Sequence, residues 1–347
     1  KSMDILILSD SSQKQFVDAA EKLGHRAVVV PVSVFSVGLS TRKGYDKLYI
    51  SHEEFAYYIG HDDFVIETVL CRGGMKSKHA LAVLRHLSEN MGVNCSHTPD
   101  FIQTASNQLI TLQKLSAAKI PIPETRFISG GDGLTLAAQE LKLPLIVKTT
   151  VGSQGTGVFK ITDEESLMWC FRAFQGTQTE IILQKTIVTA KDSEDANDIR
   201  LWCIGGKFHA AMKRYALAGD FRANASLSGR CEFYTPTSEQ IELAESAAVA
   251  VGAVDSIVGV DIMTDLDGNS YVIEVNSNPG TTYITQAIEK AKKPNLDIFC
   301  AVINFVARKK QKRKLTVKNK IDLNVMDLLK QINTTNYNMV KKNVELF

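Results

Sequence analysis

The chain lacks most of the signals that assign a protein quickly. No apolar run approaches the roughly 18 to 20 residues a membrane-crossing helix needs, and MDILIL runs directly into polar SDSSQKQ, unlike a secretory leader. Lys1-Ser2 ahead of it reads as an appended remnant. The six cysteines (71, 95, 170, 203, 231, 300) are scattered, with no Cys-x-x-Cys, which excludes a zinc ribbon and a compact disulfide framework. They are expected to be reduced thiols, several in the core, in a cytoplasmic protein. The seven histidines show no metal-ligand spacing, and no Ser/His/Asp or Cys/His set suggests a protein nucleophile. Ser9-Asp10-Ser11-Ser12, after the first strand, lacks the glycines of a dinucleotide fold, and no Gly-Lys-Ser/Thr marks a Walker A loop.

What remains is a 347-residue globular chain, long enough for two or three packed lobes. Its net charge of +2 is unevenly spread. Residues 308–347 carry 11 Lys/Arg against 3 Asp/Glu, a net of +8, which leaves residues 1–307 at −6.

Apolar runs at Asp4–Leu8, Ala27–Val34 and Phe64–Leu70 alternate with helical patterns at Gln13–Leu23 and Lys76–Met91, predicting an α/β lobe with a mainly parallel sheet. Cys71-Arg72-Gly73-Gly74 follows as either a plain strand-to-helix turn or a cation placed near a substrate. One helix is predicted over Ile102–Ala118, with Leu109, Leu112 and Leu115 as a core stripe, ended by Ile120-Pro121-Ile122-Pro123. A short helix over Leu134–Leu141 and the strand Pro144–Lys148 come next.

Lys148 ends that strand and is followed by Gly152-Ser153-Gln154-Gly155-Thr156-Gly157 and a strand at Val158–Ile161. Such a glycine loop lets backbone N–H groups approach phosphate oxygens, although a glycine-rich turn can also be only a turn. A helix at Asp163–Phe174, opened by an acidic turn, and a strand at Glu180–Ile187 follow. A hairpin about Gly205-Gly206 then carries Asp198, Arg200, Lys213 and Arg214, and Gly219–Asn224 adds Arg222 and Asn224. This concentration of cations suits a polyphosphate or a developing acyl-phosphate; the alternative is a solvent-facing charged sheet. Thr237 and Gln240 have capping-box spacing at the start of a helix to Val251, and Leu296–Ala307 is a last apolar helix.

Ser256–Gly280 holds the most informative pattern. Ile257–Met263 and Ser270–Val275 read as two strands joined by a turn containing Asp267-Gly268. Asp261, Glu274 and Asn276 interrupt these apolar strands, and the pairing brings them together. Three oxygen donors from two strands form a cradle for Mg²⁺, unless they merely line a solvated face.

Taken together, LIVKTTVGSQGTGV, NDIRLWCIGGK, GDFRAN, GVDI and VIEVNSNPG, in this order, resemble the ATP-grasp superfamily and within it the RimK-type glutamate ligases, over roughly residues 3–307. The resemblance implies an ATP-grasp fold of mixed α/β and α+β lobes: an N-terminal α/β domain (1–103), then an ATP-grasp domain (104–307) whose small lobe (about 116–186) and large lobe (about 187–307) clasp ATP. By motif position it implies that Lys148 contacts ATP phosphates, that Gly152, Ser153, Gln154 and Gly155 form a lid, and that the backbone of Lys185 and Thr186 holds adenine. It further implies that Asp198 contacts the nucleotide, that Arg222 and Asn224 lie at its phosphate end, that Arg200 lies near the acceptor carboxylate, and that Arg200 and Arg222 serve catalysis. Asp261, Glu274 and Asn276 become ligands for Mg²⁺ (or Mn²⁺), with two ions expected. Lys185-Thr186 departs from the Glu-Tyr usual at this hinge. The implied activity is activation of a carboxylate by ATP and its joining to an amino acid amine, with glutamate added to a protein or peptide C-terminus. A homo-oligomer, plausibly a tetramer, is also implied.

The extension 308–347 lies outside the resemblance. Its RKKQKRKLTVKNK run, followed by a helical pattern over Asp322–Ile332, is either a solvated linker with a packing helix or a docking element for an acidic or RNA-containing partner. The competing reading of the whole chain is a non-catalytic nucleotide-binding module whose basic tail contacts nucleic acid or the ribosome.

Overall fold

A computed structural model describes residues 2–39, 41, 47–50, 64–131, 133–149, 158–191, 196–216, 230–308 and 315–316. Gly152, Ser153, Gln154, Gly155, Arg222, Asn224 and the pattern at 322–332 lie outside them.

The first lobe is built on β1 (Asp4–Leu8), α1 (Lys14–Lys22), β2 (Arg26–Val30), β3 (Phe35–Gly38), β4 (Lys47–Ile50), β5 (Val65–Ile66), β6 (Thr68–Cys71), α2 (Lys78–Arg85) and β7 (Asn94–Cys95). Its main sheet runs β2-β1-β6-β7, all parallel. DILIL is apolar on both faces because both are covered. Leu6 and Leu8 enter the core beneath α2, while Ile5 and Ile7 pack with residues of the large sheet, including Trp202 and Met212. Three expected elements are shorter or divided. The second strand stops at Val30, where Pro31 leads into a 3₁₀ turn over Val32–Val34. The third breaks at buried Glu67, whose carboxylate accepts the Asp4 N–H at 3.1 Å. The helix over 76–91 becomes α2 followed by a π turn over His86–Asn90.

The helix expected over 102–118 is likewise two: α3 (Pro99–Ala105) and α4 (Gln108–Ala117). Asn107 accepts the Ile110 N–H at 3.1 Å and starts the second. The small lobe comprises β8 (Thr125–Ser129), α5 (Leu134–Leu141), β9 (Leu145–Thr149), β10 (Val158–Ile161), α6 (Glu164–Phe174) and β11 (Glu180–Lys185), with antiparallel sheet order β10-β9-β11-β8. One face of this sheet packs on α5 through Leu145, Val147, Ile181 and Leu183. Lys148 alternates onto the other face, beside Ile182 and Val158.

The large lobe comprises β12 (Asn197–Ile204), β13 (Lys207–Tyr215), β14 (Arg230–Phe233), α7 (Ser238–Ala250), β15 (Ile257–Thr264), β16 (Ser270–Asn276), α8 (Thr282–Lys290) and α9 (Ile298–Arg308). Its antiparallel sheet runs β14-β13-β12-β15-β16. Thr237 and Gln240 make both reciprocal capping bonds at the start of α7, as their spacing predicts. α7 covers the face bearing Leu201, Val258 and Val260, while α8 and α9 cover Trp202, Met212 and Ile257 on the other. A two-residue strand β17 (Leu315–Thr316) pairs antiparallel with β5, so the chain beyond α9 returns to the first lobe. No helix among the described residues is long and apolar enough to cross a membrane.

Candidate active site

The β15–β16 hairpin is closed by Asp265, whose carboxylate accepts the N–H groups of Asp267 (3.0 Å) and Asn269 (2.8 Å), with Gly268 at φ +89°. Next to this turn Thr264 faces Ser270 and Ile262 faces Val272, but Asp261 faces Glu274. Ile273 is therefore an inserted bulge residue, and its carbonyl accepts the Gln108 side-chain amide at 3.3 Å. Gly259 faces Asn276, so Asp261, Glu274 and Asn276 share one side of the sheet. Asp261 is 3% exposed, Asn276 half-buried and Glu274 exposed.

The neighbouring strands supply the countercharges. Arg200 on β12 faces Asp261 and holds it through two hydrogen bonds, Nε to Oδ1 and Nη2 to Oδ2, each 2.6 Å. A second bulge, at His209, shifts the β12–β13 register so that Asp198 faces Arg214. Arg214, buried at 2% exposure, donates to both Asp198 oxygens (2.6 and 2.5 Å) and reaches Asp261 Oδ2 at 2.8 Å. Burial pushes the Asp261 carboxyl upward, but Arg200 and Arg214 outweigh it and bring the pKa to about 2. Burial also dominates at Asp198, raising it to about 6 against the pull of Arg214, which leaves it ionised at neutral pH. Asp198 and Asp261 in turn raise the Arg214 pKa above its ordinary value despite burial.

Lys148 comes from the other lobe. Burial lowers its ammonium to about 8, and the opposing upward pull comes from Glu274 and Asp261. The small-lobe lysine is therefore near enough to the large-lobe carboxylates to feel their charge. At the hinge, the Lys185 N–H is donated to Glu124 O (2.9 Å) and the Thr186 N–H to Pro144 O (3.2 Å). A base held at these two residues would have to use carbonyl oxygens or amides beyond Thr186. The Thr186 hydroxyl is buried without a partner.

The structure thus brings together Lys148, Asp198, Arg200, Asp261, Glu274 and Asn276 from the residues expected by sequence. Of the hairpin cations it sets Arg214 rather than Lys213 opposite Asp198, because counting back from Gly205-Gly206 pairs Asp198 with Lys213 and only the bulge substitutes Arg214. No group of three or more His, Cys, Asp or Glu suited to a metal occurs among the described residues. A divalent ion would depend on two carboxylates and an amide, a donor set that fits Mg²⁺ when phosphate oxygens complete the shell. The exposure of Glu274 fits this, whereas Asp261 must share oxygens already bonded to guanidinium groups.

Comparison with known proteins bears on the family and the fold. The family model described as a RimK-like ATP-grasp domain matches residues 105–299. The chain is 30% identical over 312 residues to a probable alpha-L-glutamate ligase of Methanococcoides burtonii, covering 88% of this chain and 96% of that one. It is 32% identical over 284 residues to one of Azotobacter vinelandii, covering 80% and 88%. Among solved structures, the ATP-grasp ligase PsnB with a minimal precursor, Mg and ADP superposes with a TM-score of 0.62 at 15% identity, covering 88% of this chain and 97% of that one. D-alanine–D-alanine ligase of Bacillus anthracis gives 0.57 at 16%, covering 88% and 96%. At such identities these last two speak for the fold alone.

Proposed function

Because the chain belongs to the RimK-like ATP-grasp family, we propose that it is an ATP-dependent ligase that joins the amine of L-glutamate to the carboxylate of a protein or peptide acceptor. The observation that carries this reading is the strand pairing that sets Asp261, Glu274 and Asn276 on one side of the large sheet, with Arg200 and Arg214 bonded to Asp261. One lobe offers a cation for phosphate oxygens, and the other offers oxygen donors for the metal that accompanies them.

In the first half-reaction an acceptor carboxylate oxygen bonds to the γ-phosphorus of ATP and the bond to the β-phosphate oxygen breaks, giving an acyl-phosphate and ADP. In the second, the amine nitrogen attacks the acyl carbon, phosphate leaves, and the amine gives up a proton. Neither step needs a protein nucleophile, in keeping with the absence of one from the sequence. Lys148 would hold the transferring phosphoryl group, and Arg200 would orient the acceptor carboxylate by releasing one of its bonds to Asp261. Bound Mg²⁺ or Mn²⁺, held by Asp261, Glu274 and Asn276, would offset the charge on the phosphates. Lys148, Arg200 and Arg214 already balance Asp198, Asp261 and Glu274, so ATP must bring its own cations, which favours two ions. Arg222, Asn224 and the glycine loop 152–157 are assigned to the phosphates by motif position alone.

The test is ADP release with L-glutamate and a panel of C-terminal peptides, followed by mass spectrometry of the peptides. A glutamate-sized mass increase that requires ATP and Mg²⁺ is expected. Absence of Mg·ATP binding would overturn the reading.

A further inference from the structure

The Cys71–Gly74 turn, at the C-terminal end of β6, holds a cation that the proposed chemistry does not use. Arg72 is 5% exposed, and only one of its three guanidinium nitrogens has an acceptor. Nη2 donates to the Pro279 carbonyl at 3.0 Å, while Nε and Nη1 are buried without a partner. The Phe16 ring lies 5.0 Å from the guanidinium carbon. Arg214, comparably buried, is bonded to two carboxylates, whereas no carboxylate contributes to the charge state of Arg72. An uncompensated buried guanidinium is costly, and arginine cannot escape the cost by losing its proton.

Its position gives the charge a use. Pro279 follows Asn276 by three residues and packs against Gly259, where a Cβ would stand 2.9 Å from Pro279 Cβ and 3.6 Å from Arg200 Cδ. Arg72 therefore reaches, from the first lobe, the loop that packs beside Gly259 and Arg200. The turn is closely packed against Ser9 and Asp10. At Gly73 a Cβ would lie 3.0 Å from Ser9 Oγ, and at Gly74, with φ +71°, it would lie 1.9 Å from Asp10 Oδ2. The carboxyl ends of adjacent parallel strands, here β1 and β6, are where open α/β sheets receive ligands.

We propose that Arg72 binds one of the carboxylates of the incoming amino acid, which reacts only through its amine, an assignment that rests on the ligase reading above. A carboxylate that is never phosphorylated needs a fixed cation away from the metal, and guanidinium meets it with paired, charge-assisted hydrogen bonds. In this structure the Pro279 carbonyl occupies one donor and the guanidinium is covered. The substrate reaches Arg72 by displacing the Pro279 loop, exchanging a neutral acceptor for a charged one. Arg72 is thus a specificity determinant supplied by the first lobe.

Steady-state kinetics and thermal shift of Arg72→Met and Arg72→Lys test the assignment. The expected result for Arg72→Met is a KM for L-glutamate raised on the order of a hundredfold, with the KM for ATP unchanged. Arg72→Lys, which keeps the charge but loses the fork, should fall between. Wild type bound to Mg·AMPPNP should gain melting temperature on adding L-glutamate, and the Met variant should not. L-Glutamine and L-isoglutamine as probes separate the side-chain from the α-carboxylate, since the amide at the recognised position should give no shift. An unchanged glutamate KM in a folded variant, equal rises in both KM values, or a rise confined to the peptide acceptor overturns the proposal. If Arg72→Met does not fold, Arg72→Lys decides by the same criterion. Failure of Mg·AMPPNP to stabilise the wild type would instead reject the ligase reading itself.

Discussion

Arg200 and Asp261 form a side-on pair across adjacent strands, Nε to Oδ1 and Nη2 to Oδ2, both at 2.6 Å, and Arg214 closes on the same carboxylate from the next strand. A carboxylate proposed as a metal ligand is therefore also the keystone of a buried ionic network. Its role in stability and its role in chemistry can be separated experimentally.

Asp261→Asn leaves two guanidinium groups around an amide and should cost about 3–5 kcal/mol of stability, the usual penalty for breaking a buried pair. Glu274→Gln, at an exposed position, should change stability by no more than about 0.5 kcal/mol. Both should reduce Mg-dependent ATP turnover by about a hundredfold or more. Urea unfolding and ADP release check the two halves; equal stability losses would contradict the burial described here.

Lys148 gives a pH dependence with a definite sign. Its folded pKa of about 8 lies below the ordinary lysine value of 10.5, and phosphate binding needs the protonated form. ATP affinity should hold below pH 8 and weaken above it, by at most about tenfold per pH unit. The same group makes folding stability rise with pH between about 8 and 10.5, because there the unfolded chain binds more protons. Isothermal titration with Mg·AMPPNP from pH 7 to 10 should show the inflection in wild type and none in Lys148→Met.

Gly259 is required by the Pro279 ring. Gly259→Ala would place a methyl group 2.9 Å from Pro279 Cβ and should cost about 1–3 kcal/mol, with a fall in turnover as the loop after Asn276 shifts. Gly280→Ala, which has open space around it, is the control and should be nearly neutral in thermal denaturation.

Thiol titration should separate the cysteines into two groups. Cys71, Cys95 and Cys203 are buried, and burial pushes the Cys203 thiol up to about 12. Only the half-buried Cys170, Cys231 and Cys300 should react with a thiol reagent at pH 8 in the folded protein, and all six in denaturant. Early reaction of Cys203 would show that the large sheet opens more readily than its packing implies.

The sequence carried much of the strand and helix order because strand and helix periods, glycine turns and capping pairs are local signals; Thr237 with Gln240 is one example. It also carried the convergence of Asp261, Glu274 and Asn276, since a hairpin brings its two strands together whatever the detail of register. What escaped was set by single-residue events. Pro31 shortened β2, Asn107 divided a helix that its leucine stripe made continuous, and the bulge at His209 placed Arg214 rather than Lys213 opposite Asp198. The isolation of Arg72 was also invisible, because it depends on which partners tertiary packing fails to provide.

The extra residue at Ile273 reverses the parity of β16. Counted from the hairpin tip, Val272 faces the core beneath α7, and strict alternation would send Glu274 there too; the insertion turns Glu274 outward and returns Val275 to that core. The hairpin is thus two alternating patterns spliced out of phase, one half tuned to packing and the other to chemistry. Substitutions act on one side chain at a time, and deleting Ile273 would only remove the bulge, leaving Glu274 outward and Val275 inward; ironing the bulge out with Ile273 kept in the ladder is what would exchange inside and outside for the whole segment beyond it, burying a carboxylate and exposing a valine in one step.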